Sequence, residues 1–125
     1  MISQPTIVQI DDVEWESTDE NPGLRYKFLI DADHTPSHGF SMGVLEVAPG
    51  TILPPHTHAP QEIYLFHAGR GRVLLGDETH DVAPGTVVYV PENCRHGLEN
   101  LGDEALGFTW IFPTDTWAEI AYVFG

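Results

Sequence analysis

A chain of 125 residues with 42% hydrophobic residues has enough apolar side chains for one domain with a core and is too short for two. Its 19 acidic side chains and only 5 Lys and Arg give a formal net charge of −14, which argues against partners such as nucleic acids or anionic membrane surfaces. The single cysteine excludes a framework of internal disulfides and fits a reducing compartment. Because the N-terminal segment lacks the basic start and apolar run of a signal peptide, we expect a cytoplasmic protein.

Short alternating segments separated by turn residues indicate an all-β fold. In the first of them the apolar side chains of Leu24, Tyr26 and Phe28 share one face, and Arg25 and Lys27 lie on the other. Similar segments rich in β-branched and aromatic residues span 40–47, 62–67, 72–75, 86–90 and 107–112. Many short strands at this spacing predict an antiparallel sandwich or barrel.

We divide the chain into an N-terminal arm over residues 1–23, a barrel over 24–113 and a C-terminal segment over 114–125. The arm carries an acidic cluster interrupted by Trp15, which we expect to be a solvated surface that keeps the protein soluble. The cluster comprises Asp11, Asp12, Glu14, Glu16, Asp19 and Glu20. The stretch from Asp115 to Tyr122 fits a short helical turn with Asp115 as its N-cap, or else a final strand.

A group of side chains typical of metal sites lies between Gly50 and Gly69. His56 and His58 are separated by one residue, so in an extended chain both project from the same face. Glu62 follows after a short Pro-containing stretch and begins the next strand. Two imidazoles and a carboxylate that converge suit a borderline divalent ion such as Fe, Ni, Mn or Zn.

A second segment, residues 85–100, supplies a further histidine, His96, just after an apolar strand. Together the segments 50–69 and 85–100 resemble the two sequence motifs of the cupin superfamily. The matching positions are Gly50, His56, His58, Glu62, Gly69, Gly85, Pro91, His96 and Asn100. One departure is Asn93, which stands where the family has a second glycine; Asn is the non-glycine residue that best adopts a left-handed turn.

This resemblance implies a small single-domain cupin, a double-stranded β-helix or jelly-roll barrel with a metal ion in its mouth. The implied ligands are His56, His58, Glu62 and His96. With a divalent ion, three neutral imidazoles and one carboxylate leave a net charge of about +1 that attracts an anionic substrate group. The resemblance also implies a homodimer, because cupin barrels often pair by exchanging N-terminal strands, and residues 7–10 offer such a strand.

Three further stretches, residues 22–33, Glu62 to Tyr64 and Phe108 to Asp115, resemble those of small cupin lyases that cleave dimethylsulfoniopropionate into acrylate and dimethyl sulfide. Such an elimination needs a base for the proton next to the carboxylate, and a metal ion that binds this carboxylate makes the proton easier to remove. Tyr64 shares a strand face with Glu62 and is the expected general base. Its phenol, with an ordinary pKa near 10, requires a nearby cation for that role.

Aromatic side chains on inward faces offer a receptor for a sulfonium group, which is a soft cation without hydrogen-bond donors. Most inward aromatic side chains are expected to fill the barrel. The residues expected to bind substrate are Tyr26, Phe108, Trp110 and Tyr122.

The remaining histidines and the cysteine have no expected role in the site. His34, His38 and His80 fall in expected loops or turns exposed to solvent, and His67 has the strand parity opposite to the ligand face. Cys94 lies beside the second motif without a paired thiol or base, so we expect a packed or half-exposed side chain rather than a nucleophile.

The sequence thus favours a metal-dependent carbon–sulfur lyase that acts on a small carboxylate, and it leaves three alternatives open. The same ligand set serves mononuclear iron dioxygenases. An isomerase or epimerase would also abstract a proton beside a metal ion, and a non-catalytic ligand-binding module would use the pocket without turnover. The ligand types leave the native metal and the substrate undetermined.

Overall fold

In the computed structural model, which describes residues 2–125, the alternating segments form eleven β-strands. Their bounds are β1 Glu16–Thr18, β2 Asn21–Ile30, β3 Ser41–Val47, β4 Ile52–Thr57, β5 Glu62–Ala68, β6 Gly71–Leu75, β7 Glu78–Val82, β8 Val87–Val90, β9 His96–Glu99, β10 Leu106–Phe112 and β11 Val123–Phe124. One sheet has the order β1-β2-β3-β10-β5-β8 and the other the order β11-β4-β9-β6-β7, with antiparallel pairing throughout. The predicted all-β jelly-roll architecture is confirmed.

Strand alternation builds the core between the sheets. In β5 the side chains of Glu62, Tyr64 and Phe66 are buried, whereas Ile63 and Leu65 are exposed on the opposite face. The same alternation in other strands produces a continuous apolar cluster, and burial of each large apolar side chain contributes about 1.5–3 kcal/mol. The inward face of β5 therefore carries Glu62, the carboxylate of the first motif, into the core.

Five short strands, β1, β4, β7, β9 and β11, were not predicted as strands. In β4 the residues Pro54 and Pro55 interrupt the ladder, and its register with β9 shifts between Leu53 and His56. In β7 the first four of the five residues are polar and exposed. The sequence therefore shows no alternation of apolar and polar residues that would predict a strand. His80 therefore lies in a strand and not in a turn, but its side chain is exposed as expected.

Residues 115–122 form neither the helix nor the strand that were the two alternatives for this stretch, because the last strand, β11, begins only at Val123. The chain bends through a turn closed by the Ile120 N–H bonding the Trp117 carbonyl at 3.1 Å, and then forms β11. Asp115 caps no helix, because its Oδ1 accepts the Gly39 N–H at 2.7 Å, and Asp31 accepts the Trp117 N–H at 2.9 Å. Among residues 2–125 there is no helix of the length and apolar character needed to cross a membrane.

The N-terminal arm packs over the outer face of β2. A 3-10 turn at Ile10–Asp12 is the first regular element, so residues 7–10 form no strand within this chain. Lys27 lies on the outer face as predicted but is only 5% exposed, because the arm covers it. Its Nζ donates to the Ile10 carbonyl at 2.8 Å and lies 4.7 Å from the centre of the Trp15 ring. The acidic cluster of the arm is exposed, as predicted.

Candidate metal centre

The structure brings together in the core the four residues expected from the two motifs to be metal ligands. His56 on β4 is the register partner of His96 on β9, His58 follows β4, and Glu62 begins β5. All four side chains belong to residues that are at most 4% exposed. The ligand nitrogens of the three histidines lie within 4.8 Å of one another.

Each imidazole is oriented by a backbone carbonyl. The Nδ1–O distances are 2.7 Å for His56 to Pro54, 2.8 Å for His58 to Pro60 and 2.8 Å for His96 to Cys94. Because a carbonyl oxygen only accepts, each Nδ1 carries a proton and donates it. This leaves Nε2 of each ring as the atom available to a metal ion, which is the usual arrangement of metal-binding histidines.

Glu62 and His58 are paired across a short buried contact. Glu62 Oε1 lies 3.1 Å from His58 Nε2. Burial alone lowers the pKa of His58, but the hydrogen bond and the charge of Glu62 outweigh it, so the pKa is raised above 6.5. The His58 Nε2–Glu62 pair therefore holds a proton at the position where a metal ion would bind.

The other two imidazoles, those of His56 and His96, place their Nε2 atoms in the same buried cluster. Burial is the main reason that the pKa of His56 is lowered to about 4, against the opposing effect of its bond to Pro54. His96 Nε2 is fully buried 3.4 Å from Glu62 Oε1 and has no hydrogen-bond partner within residues 2–125. An orphaned buried nitrogen costs about 1–3 kcal/mol, and a metal ion would satisfy it. The donor set of three imidazoles and one carboxylate therefore fits a first-row divalent ion.

We call His56, His58, Glu62 and His96 the ligand cluster. A cavity of about 310 Å³ lies beside it, and His56 and Glu62 line this cavity. This volume is at the lower end of the range for small-molecule sites and suits a small ligand. None of the described residues that line it is Lys or Arg. Its aromatic walls are Tyr26, Tyr64, Phe108, Trp110, Trp117, Tyr122 and Phe124. The structure thus places the base and the four substrate-binding residues expected from the sequence around one cavity.

Tyr64 is almost completely buried between the ligand cluster and the aromatic wall. It is 2% exposed, and its ring centre lies 4.6 Å from that of Phe108 and 6.1 Å from that of His96. Burial, followed by the charge of Glu62, raises the pKa of Tyr64 well above 10. Tyr64 therefore keeps its proton at neutral pH, and a base role requires positive charge nearby.

Tyr122 lies against the histidines from the C-terminal segment. Its ring centre is 5.1 Å from that of His56 and 5.2 Å from that of His58. The Tyr122 hydroxyl accepts the indole N–H of Trp117 at 2.9 Å. Burial and then the charge of Glu62 raise the pKa of Tyr122, and the bond from Trp117 partly opposes them.

Two aromatic wall residues, Trp117 and Phe124, were not anticipated. Phe124 is in β11, with its ring centre 5.5 Å from that of His56. The alternation of Tyr122 and Phe124 is the signal that would have found it. Trp117 lies in a turn, where no periodic pattern marks which side chains point inwards.

The side chains without an expected role lie outside the cluster. His34, His38 and His67 are exposed like His80, and Cys94 is half-buried, as expected. Asn93 has φ of 58°, so the residue that replaces the second family glycine does occupy a left-handed turn. At Gly69 a side chain would collide with the Ala105 carbonyl, which explains the motif's glycine there.

The model of the cupin domain family matches residues 43–112, which include all four expected ligand residues. Dimethylsulfoniopropionate lyase DddW of Ruegeria pomeroyi is 32% identical over 101 residues, which cover 81% of this chain and 66% of that protein. The chain therefore spans slightly less than two thirds of this curated relative.

Solved structures with the same fold have different activities. The polyketide cyclase RemF of Streptomyces resistomycificus superposes with a TM-score of 0.82 at 22% identity, over 97% of this chain and 85% of that one. The DMSP lyase DddQ of Ruegeria pomeroyi superposes with a TM-score of 0.74 at 22% identity, over 91% and 61%. At such identities the two likenesses show the fold alone.

Proposed function

This chain belongs to the cupin domain family, and on that premise we propose that it is a metal-dependent lyase that cleaves dimethylsulfoniopropionate, or a similar small carboxylate, by β-elimination. The observation that carries the proposal is that Tyr64 lines the same small cavity as the ligand residues His56 and Glu62. The identity of 32% to a dimethylsulfoniopropionate lyase supports the same reaction class.

His56, His58, Glu62 and His96 would hold one divalent ion, with Fe, Ni, Mn and Zn all compatible with these donors. The ion would act as a Lewis acid that stabilises the negative charge developing beside the substrate carboxylate. His58 must first release the proton that it shares with Glu62.

Tyr64 supplies the base for the elimination. Its phenolate takes the proton from the carbon next to the carboxylate, and the electron pair of that C–H bond forms the double bond of acrylate. The C–S bond breaks with its electron pair leaving on dimethyl sulfide, and Tyr64 later returns the proton to solvent. Because burial and Glu62 raise the pKa of Tyr64, the base form depends on the charge of a loaded site.

The aromatic wall suits the cationic end of the substrate. Tyr26, Phe108 and Trp110 line the cavity, and an aromatic ring face attracts a cation such as a sulfonium group by about 2 kcal/mol when desolvated. The lining contains no Lys or Arg among the described residues, so no side-chain cation repels the sulfonium group. Binding of the two ends is thus divided between the ligand cluster and the aromatic wall.

We also propose that the protein is a cytoplasmic homodimer. Ile63 and Leu65 on β5 and Val87 and Tyr89 on β8 form an exposed, uncharged patch on neighbouring strands, with exposures of 39%, 43%, 64% and 55%. The single cysteine fits a reducing compartment. Light scattering on the eluted protein should give twice the 13.9 kDa of one chain, and a mass of 13.9 kDa would contradict the dimer.

Headspace measurement of dimethyl sulfide tests the activity. Protein loaded separately with Fe, Ni, Mn or Zn is incubated with dimethylsulfoniopropionate under anaerobic conditions. We expect dimethyl sulfide and acrylate in equal amounts. No release with any of the metals would contradict the proposal, product formation only with oxygen would favour a dioxygenase, and binding without turnover would favour a ligand-binding module.

A further inference from the structure

We propose that Trp117 is a positioning residue that holds the Tyr122 hydroxyl as a hydrogen-bond donor for a carboxylate in the cavity. That the ligand is a carboxylate rests on the proposed function. That Trp117 orients Tyr122 rests on the contacts of these two side chains. Trp117 Nε1 donates to the Tyr122 hydroxyl oxygen at 2.9 Å, and both residues line the cavity.

The direction of this hydrogen bond decides what Tyr122 can do. An indole N–H only donates, whereas a phenol has one proton to donate and also accepts. Because the Trp117 proton points at the Tyr122 oxygen, the hydroxyl proton of Tyr122 must turn away from the indole. The hydroxyl makes no second hydrogen bond within residues 2–125, so its proton is available to a ligand.

Tyr122 is placed where a carboxylate would be held. Its ring lies 5.1 Å from that of His56 and 5.2 Å from that of His58, measured between centres, and Glu62 lines the same cavity. A small carboxylate beside the ligand cluster therefore lies close to Tyr122. A hydroxyl with its proton directed to the ligand favours this carboxylate, whereas a hydroxyl free to rotate also presents its oxygen lone pairs, which repel it.

Trp117 is itself fixed at both its backbone and its ring. Its backbone N–H donates to Asp31 Oδ2 at 2.9 Å, and Asp31 is only 2% exposed. Its ring packs against Tyr26 and Phe28, with centres 6.1 Å and 5.6 Å apart. These contacts fix the indole from elements other than the segment that carries Tyr122, as a positioning role requires.

A double-mutant cycle on acrylate binding tests the proposal. Trp117→Phe keeps an aromatic ring but removes the N–H, and we expect the metal-loaded variant to bind acrylate about three- to tenfold more weakly in calorimetric titration. Tyr122→Phe should weaken binding at least as much. In the Tyr122→Phe background the Trp117→Phe change should have no further effect, because the residue through which Trp117 acts is then absent.

Two other variants separate the N–H from the packing of the ring. Trp117→His retains a ring nitrogen that donates and should bind acrylate more tightly than Trp117→Phe. Trp15→Phe is the matched control, since Trp15 lies outside the cavity over Lys27, and its affinity should equal that of wild type. Metal content and thermal midpoints are measured for every variant to show that each is folded and loaded.

The acrylate affinities of these variants test the positioning role of Trp117 independently of the lyase reaction. The role of Trp117 would be contradicted if Trp117→Phe binds acrylate as tightly as wild type, or if the losses in the two single variants multiply in the double variant. It would also be contradicted if Trp117→His and Trp117→Phe bind acrylate equally, or if wild type binds no acrylate. If wild type releases no dimethyl sulfide but the losses of acrylate affinity are coupled, the proposed function fails and the positioning role stands.

Discussion

His58 and Glu62 are joined by a buried contact of 3.1 Å between His58 Nε2 and Glu62 Oε1. His58 also donates from Nδ1 to the Pro60 carbonyl at 2.8 Å, and a second proton lies between Nε2 and Glu62 Oε1. Any metal ion that binds the cluster must displace the proton on Nε2. The two cations therefore compete for one nitrogen, which makes metal binding depend on pH.

We expect metal affinity to fall as the pH falls below the raised pKa of His58, which lies above 6.5. Release of one proton on binding weakens the apparent affinity about tenfold for each pH unit in this range, and the affinity levels off at higher pH. His56, whose pKa is lowered to about 4, adds a second proton only at much lower pH. Competition between the protein and a chelator for Zn, measured between about pH 5 and pH 9, should show this dependence of metal affinity on pH.

Glu62→Gln tests the origin of the profile. Loss of the carboxylate charge should lower the pKa of His58, so the fall in affinity should begin at lower pH although the affinity itself is weaker throughout. His67→Gln, on the exposed face of β5, is the control and should keep the wild-type profile. If the metal affinity of Glu62→Gln begins to fall at the same pH as that of wild type, Glu62 does not stabilise the proton on His58 Nε2.

Tyr64→Phe should abolish elimination without loss of the metal. The side chain is 2% exposed and the substitution removes a single oxygen, so the ligand cluster keeps its packing. Loss of a general base lowers the rate about 10²–10⁴-fold. Release of dimethyl sulfide and metal content are measured together. Tyr89→Phe, a change to a 55% exposed tyrosine bonded to Gln61, should keep full activity, and turnover retained in Tyr64→Phe would exclude the base role.

Gly43→Ala should lower both stability and substrate affinity. Gly43 on β3 is the register partner of Trp110, and a Cβ there would collide with the Trp110 ring and the Lys27 carbonyl. Overpacking of this kind costs about 1–3 kcal/mol and should push Trp110 towards the cavity. Chemical denaturation and KM measure the two effects. Gly102→Ala is the control, since the nearest atom to its Cβ would be 3.5 Å away; equal behaviour of the two variants would contradict the expectation.

The ligand cluster could be predicted from the sequence because, in a strand, the spacing of residues along the chain determines the face on which each side chain lies. One residue between His56 and His58 gives a common face, and a strand that begins at Glu62 buries every second side chain behind it. The partner His96 needed the second motif, since only sheet pairing sets it opposite His56. Local pattern and a recognised motif together therefore specified this part of the molecule.

Other features depend on contacts between distant segments and leave no local signal. Lys27 alternates like a surface residue and is buried because Trp15 and the Ile10 carbonyl cover it. Trp117 reaches the cavity because buried Asp31 binds its backbone N–H and replaces a helical hydrogen bond. In both cases tertiary contacts with distant segments override the local propensity on which sequence prediction relies.

Asn93 links backbone conformation to the metal centre, so its substitution should affect both stability and metal affinity. At φ of 58° a β-branched residue is strained, and we expect Asn93→Val to lower the free energy of unfolding by about 1–2 kcal/mol, whereas Asn93→Gly should be neutral within a few tenths. The Asn93 N–H donates to the His58 carbonyl at 3.0 Å, so a shift of this turn moves the backbone that carries a ligand. Metal affinity should therefore fall in Asn93→Val and stay unchanged in Asn93→Gly. Urea unfolding and chelator competition measure the two quantities, with exposed Glu92→Val as the control for a β-branched residue in the same loop. An Asn93→Val variant as stable as Glu92→Val would show that the turn relaxes without cost, and the link to His58 would then have no energetic basis.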